Sequence, residues 1–173
     1  MLLKADDLLL SDIQLQQIIK HTQQEIEILL PLACALAAEQ ERTILQTGVA
    51  LTELQLSDAR RVGVVQPERV RLLRVAQIPT STLSALTAAA TMTRPISPDT
   101  RGMTLRYGIF IRDDSWGERQ LLVHELVHTS QYERLGGLEG FLRPYLLEYI
   151  TPPGYPHGPM EQEAVTTAAR LCA

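Results

Sequence analysis

TLRYGIFIR at residues 104–112, followed by LLVHELVH at residues 121–128, decides how this chain reads. In the first stretch Leu105, Tyr107, Ile109 and Ile111 alternate with Thr104, Arg106, Gly108 and Arg112, broken only by Phe110. Such a period of two predicts one strand over 104–112 with a buried face and an accessible face. In the second stretch Leu122, Val123, Leu126 and Val127 share one side of a 3.6-residue helix. Leu121, His124, Glu125, His128 and Tyr132 gather on the other side, which the pattern turns toward a cleft. Asp113, Asp114 and Ser115 supply caps, so the helix is expected from about Trp116 to Leu135, stopping at Gly136-Gly137.

The spacing of His124 and His128 carries the chemistry. Two imidazoles one helical turn apart reach a single zinc ion, and the glutamate between them, Glu125, leans toward a water on that ion as a general base. A catalytic zinc needs a third protein ligand and an open position. The residues after His128 are Thr129, Ser130, Gln131, Tyr132, Glu133 and Arg134, so no histidine stands where an HExxHxxGxxH pattern requires one. The other histidines are His21, in an amino-terminal helical region, and His157, in the Pro/Gly-rich loop at 151–159.

Better candidates are Glu161 and Glu163, on a closing helix that Pro159 opens and whose apolar face is Ala164, Val165, Ala168 and Leu171. Positions 161 and 163 lie about 200° apart on a helix, so only one of them faces the metal.

HELVHTSQYERLGG followed by GYPHGPMEQEA resembles the glutamate-ligand zincin metallopeptidases, the gluzincins, and particularly their small bacterial zincin-like domains. The resemblance covers about 105–169. It implies an α+β, minimal zincin-like domain: a small sheet with an edge strand, an active-site helix and a closing glutamate helix. It further implies a Zn2+-dependent hydrolase acting on a peptide or protein substrate, with His124 and His128 as metal ligands and Glu125 as catalytic base. Glu161, three residues before Ala164, matches the third ligand, and Glu163 is the runner-up. Many members carry Asp or Asn four residues after that glutamate to support the first histidine, and here the position is Val165. The competing expectation is a zincin-like module that binds zinc without turnover. Tyr155 and His157, in the loop before the closing helix, are the candidates to assist at an oxyanion.

Upstream, Ile13, Leu15, Ile18, Ile19, Ile26, Leu29 and Leu30 recur with helical spacing, and Pro31 is expected to break or kink the run before a second helix that ends near Gly48. Thr52-Glu53-Leu54-Gln55 is a capping box for a short helix to about Val62. Residues 1–62 therefore read as a helical amino-terminal arm, and 63–173 as the zincin-like domain. VRLLRVAQI at 70–78 reads as a buried strand, 80–93 as a helix, and Pro95, Pro98, Asp99 and Gly102 as a loop. Phe141, Tyr145, Leu146 and Tyr149 have helical spacing that points to core packing, and Pro144 among them is expected to kink the segment or start a new piece.

Composition limits the rest. With 173 residues, 45% hydrophobic and 21% charged, the chain is long enough for its own core. A net charge of −4 argues against a nucleic-acid or anionic-membrane surface, and Arg69, Arg71 and Arg74 read as a solvated face. Neither a secretory signal nor a membrane span is evident, so the expected location is cytoplasmic. Cys34 and Cys172, far apart in sequence, read as buried thiols.

Overall fold

A computed structural model describes residues 12–79 and 99–173, so the helix expected at 80–93 lies outside the described residues, as do Pro95 and Pro98. The elements are α1 (Asp12–Thr47), β1 (Val49–Ala50), α2 (Glu53–Arg61), β2 (Arg71–Val75), β3 (Gly102–Leu105), β4 (Gly108–Arg112), α3 (Arg119–Arg134), α4 (Leu138–Ile150) and α5 (Pro159–Cys172). They form an α+β fold around a mixed sheet of order β1-β2-β4-β3, in which β2 and β4 are parallel and the other pairs antiparallel. No helix among the described residues is long and apolar enough to cross a membrane.

α1 passes through Pro31 without a break. Proline removes one backbone donor and frees the carbonyl four residues earlier, that of Glu27. Both residues lie on the exposed side of the helix, where that carbonyl can meet water. The opposite side, Ile26, Leu30, Ala33, Ala37 and Ile44, is buried at intervals of three, four and seven residues and shares a core with Phe110, Phe141, Leu142 and Leu146. The amino-terminal helix is thus packed into the same interior as the sheet and α4. α2 begins as its capping box requires: Gln55 N donates to Thr52 Oγ1, and Thr52 N donates to Gln55 Oε1 at 2.9 Å.

The stretch at 104–112 is two strands rather than one. β3 and β4 form a hairpin that turns at Arg106-Tyr107, with Leu105 opposite Gly108. Arg106 has φ 57, a left-handed conformation that bulky side chains avoid, so nothing in its residue type marks a turn. The turn is held from outside: Arg106 Nε and Nη2 donate to the buried carboxylate of Glu41 on α1, which also accepts from Tyr107 N at 3.1 Å.

As one of the two interior strands, β4 is buried on both faces instead of one. Ile109 and Ile111 pack with Leu72, Leu122 and Leu126, and Phe110 points the other way into the core beneath α1. Gly108 lets Ile44 of α1 pack directly on the strand, since a Cβ would come within 2.9 Å of Ile44 Cδ1 and 3.0 Å of its Cβ.

α3 starts at Arg119 rather than near Trp116. Asp113, Asp114 and Ser115 form a 3-10 turn, and Gly117 at φ 92 separates that turn from the helix. The helix ends before Gly136 and Gly137, at φ 87 and 102, as the sequence indicates. α4 continues through Pro144 as one helix. The arginines read as a solvated face are engaged locally: Arg69 lies 4.0 Å over the Tyr107 ring, Arg71 donates to Glu68 O, and Arg74 pairs with Asp113. Cys34 and Cys172 are free and only partly buried.

Candidate metal centre

His124 and His128 project from α3 toward the first turn of α5, where Glu161 points back. Antiparallel packing of these two helices makes the centre, and burial of Met160, Ala164 and Ala168 seats α5 so that Glu161 faces inward. His124 Nε2 stands 3.0 Å from Glu161 Oε1, His128 Nε2 stands 3.4 Å from Glu161 Oε2, and the two Nε2 atoms are 3.1 Å apart. Ligand atoms held at 2.0–2.2 Å by a tetrahedral zinc are themselves roughly 3.3 Å apart, so this trio has the dimensions of such a site. His124, His128 and Glu161 could therefore hold a metal ion.

The surroundings fit the same reading. Gln131, one turn beyond His128, is fully buried, and its Oε1 lies 2.8 Å from His128 Nδ1. The Gln131 amide nitrogen donates to Met160 O at 2.9 Å and Glu163 Oε2 at 3.0 Å. Those two oxygens only accept, which fixes the amide orientation and leaves its oxygen for His128. His128 must then carry a proton on Nδ1, so its Nε2 lone pair is free to face the trio. The ring is packed edge-on against Phe141 and Tyr145.

Three lone-pair-bearing atoms this close need a cation or protons between them. In the metal-free protein protons take that place. Burial opposes a charge on His128, but its hydrogen bond to Glu161 and the charges of Glu125 and Glu161 outweigh it and raise the imidazole above its ordinary value. Burial likewise pushes Glu161 upward, yet hydrogen bonds from His124 and His128 dominate and hold its carboxyl at about 2. Tyr145 donates to Glu161 Oε2 at 3.2 Å, and burial and the Glu161 charge keep its phenol protonated.

Glu125 is held by the edge strand. Thr104 Oγ1 lies 2.7 Å from Glu125 Oε2, and a Cβ at Gly102 would come within 2.5 Å of Glu125 Oε1. Only glycine lets β3 approach the carboxylate this closely. A cleft of about 500 Å³ opens beside the trio, lined by His124, Glu125, Glu161, Gly102, Leu121, Tyr155, Val165 and the Arg101–Glu118 ion pair.

Other candidate residues are placed elsewhere. Glu163 lies outside the trio, bound by Arg134 at 2.8–3.1 Å and by Gln131. Tyr155 borders the cleft beside Glu161, whereas His157 is exposed and is not among the cleft residues. Tyr132, expected at the cleft, is instead in the core, stacked on Phe141 at 3.7 Å with its hydroxyl donating to Thr104 O. Val165 lines the cleft as an apolar wall.

Sequence reading did not select Gln131, Thr104, Gly102 or Tyr145 as site residues. For Gln131 a signal exists, since a glutamine three positions after the second histidine falls on the ligand face of the helix. Tyr145 gave only a helical core pattern. Comparisons of the chain with known protein families, curated proteins and solved structures returned no match.

Proposed function

We propose that this protein is a zinc-dependent hydrolase with a minimal zincin-like arrangement, acting on peptide bonds. The observation that carries this reading is the convergence of His124, His128 and Glu161 at 3.0–3.4 Å beside a cleft that also contains Glu125. Two imidazoles and a carboxylate suit zinc among the divalent metals. Zinc bound there would supply a Lewis acid that acidifies a water and polarises a carbonyl.

The protein's own groups divide the remaining work. Glu125 takes the proton of the attacking water and returns it to the leaving amine, and Thr104 keeps its carboxylate oriented toward the cleft. Tyr155, whose phenol burial and the charges of Glu161 and Glu125 push up to about 12, stays protonated and can donate to a carbonyl oxygen in the cleft.

The sequence pattern suggests Gly108 and the polar face of 104–112 for pairing with an extended peptide, but β4 has partners on both sides. Among the described residues β3 is an edge strand, and it takes that part. Arg112 N donates to Arg101 O, so the main-chain groups of the next residue, Gly102, point away from β4 and toward an incoming extended chain.

Two measurements test the reading. Protein purified without added metal should contain close to one equivalent of zinc, and His124→Ala should lose it. Wild type should cleave members of a diverse peptide mixture, whereas Glu125→Gln should keep zinc and lose about 10²- to 10⁴-fold in rate. Identical cleavage by the two proteins would rule out Glu125 as the base.

A further inference from the structure

We propose that Gln131 is the positioning residue of the metal centre, setting the tautomer of His128 and coupling the placement of Glu161 to it through one side-chain amide. This rests on the reading of the trio as a metal site. A ligating imidazole needs an acceptor for its second ring N–H, to fix its orientation and raise its basicity. His128 is buried between Phe141 and Tyr145, away from water, and Gln131 Oε1 at 2.8 Å is the acceptor.

The other end of the same amide holds α5. Its nitrogen donates to Met160 O, the carbonyl of the peptide unit that joins Met160 to Glu161, so it grips the backbone from which the third ligand hangs. A second bond runs to Glu163 Oε2, and Glu163 is braced by the guanidinium of Arg134. An acceptor facing His128 and donors facing two oxygens are required at once, and a neutral amide meets both needs. A carboxylate at 131 would confront two acceptors, and an aliphatic side chain would leave His128 Nδ1 without its acceptor and take a donor from Met160 O and from Glu163. Gln131 thereby supplies α3 with polar support for a histidine from within its own helix. Glu163, so close to the centre in sequence, serves as the outer brace of this network.

Zn2+ and Co2+ binding to the purified full chain tests the proposal, using wild type, Gln131→Met and Glu163→Ala. Gln131→Met keeps the volume and loses every hydrogen bond, so its zinc affinity should fall about 10- to 100-fold. Its Co2+ visible absorption should also change, because the His128 ring is no longer held. Glu163→Ala, at the solvent end of the network, should show a smaller change in the same direction.

Wild type that binds neither ion overturns the metal reading and this proposal with it. Wild type that binds while Gln131→Met matches it in affinity and spectrum overturns the role of Gln131 alone. Lost affinity with an unchanged Co2+ spectrum assigns Gln131 to packing and also overturns the proposal. If Gln131→Met does not fold, Glu163→Ala decides, and unchanged affinity and spectrum in that variant count against the network.

Discussion

Thr104 reaches Glu125 from the edge strand at 2.7 Å, a short bond to a carboxylate between two side chains that are both buried. Hydrogen bonds to charged groups contribute about 1.5–3 kcal/mol, which in a rate corresponds to roughly 10- to 100-fold. If Glu125 is the base, Thr104→Val should lower kcat by about that factor, with zinc content and KM near wild type, and Thr104→Ser should restore most of it. Steady-state kinetics on a cleaved peptide, with zinc quantified in the same samples, checks this. A Ser variant as slow as the Val variant would show that the hydroxyl alone does not account for the effect.

At the scale of elements, the least legible feature in sequence is the turn between β3 and β4. Alternation of apolar residues continues across it, and Arg106 carries none of the glycine or asparagine signals of a left-handed turn. The decisive partner, Glu41, lies on α1 and reaches the turn only in the folded molecule. Glu41→Gln should therefore destabilise the protein by about 2–4 kcal/mol, because it removes the charge paired with Arg106 and weakens the acceptor of a buried backbone N–H. Urea denaturation of the metal-free protein measures it, and a change within about 0.5 kcal/mol would mean that the hairpin closes without α1. By contrast the capping box of α2, the Gly136-Gly137 stop of α3 and the Pro159 start of α5 are local, and all three were readable. Pro31 was readable as a breaker but not as a tolerated one, since tolerance depends on which side of α1 faces water.

For the whole molecule, His124, Glu125 and His128 were legible because the helix itself supplies their spacing. Glu161 and Glu163 could be separated by orientation only once α5 was docked on α3, with Arg134 and Gln131 taking Glu163. If the trio holds zinc, the same docking sets opposite pH slopes for the metal-free and the loaded protein. Without metal, the raised pKa of His128 contributes stability that is fully present below its ordinary value of 6.5 and is lost as pH rises through the folded value. The lowered Glu161 contributes stability that is present above 4.5 and is lost as pH falls toward about 2.

Zinc needs His128 without its second proton, so its stabilisation, about 2.7 kcal/mol at a hundredfold excess over Kd, must grow as that proton leaves. The gain in Tm on adding zinc should widen as pH rises from about 6.5 through the raised folded value of His128. Thermal melts with and without zinc test this, and a gain independent of pH would exclude proton displacement at His128.

The hydroxyl of Thr104 has one hydrogen and two acceptors in range, Glu125 Oε2 at 2.7 Å and Glu125 O at 3.0 Å. While Glu125 is ionised, that hydrogen points to the carboxylate. Once Glu125 holds a proton, the acid can donate to Thr104 Oγ1, and the threonine hydrogen can swing to the main-chain oxygen. Both protonation states are thus satisfied by rotation about one C–O bond, with no heavy atom displaced.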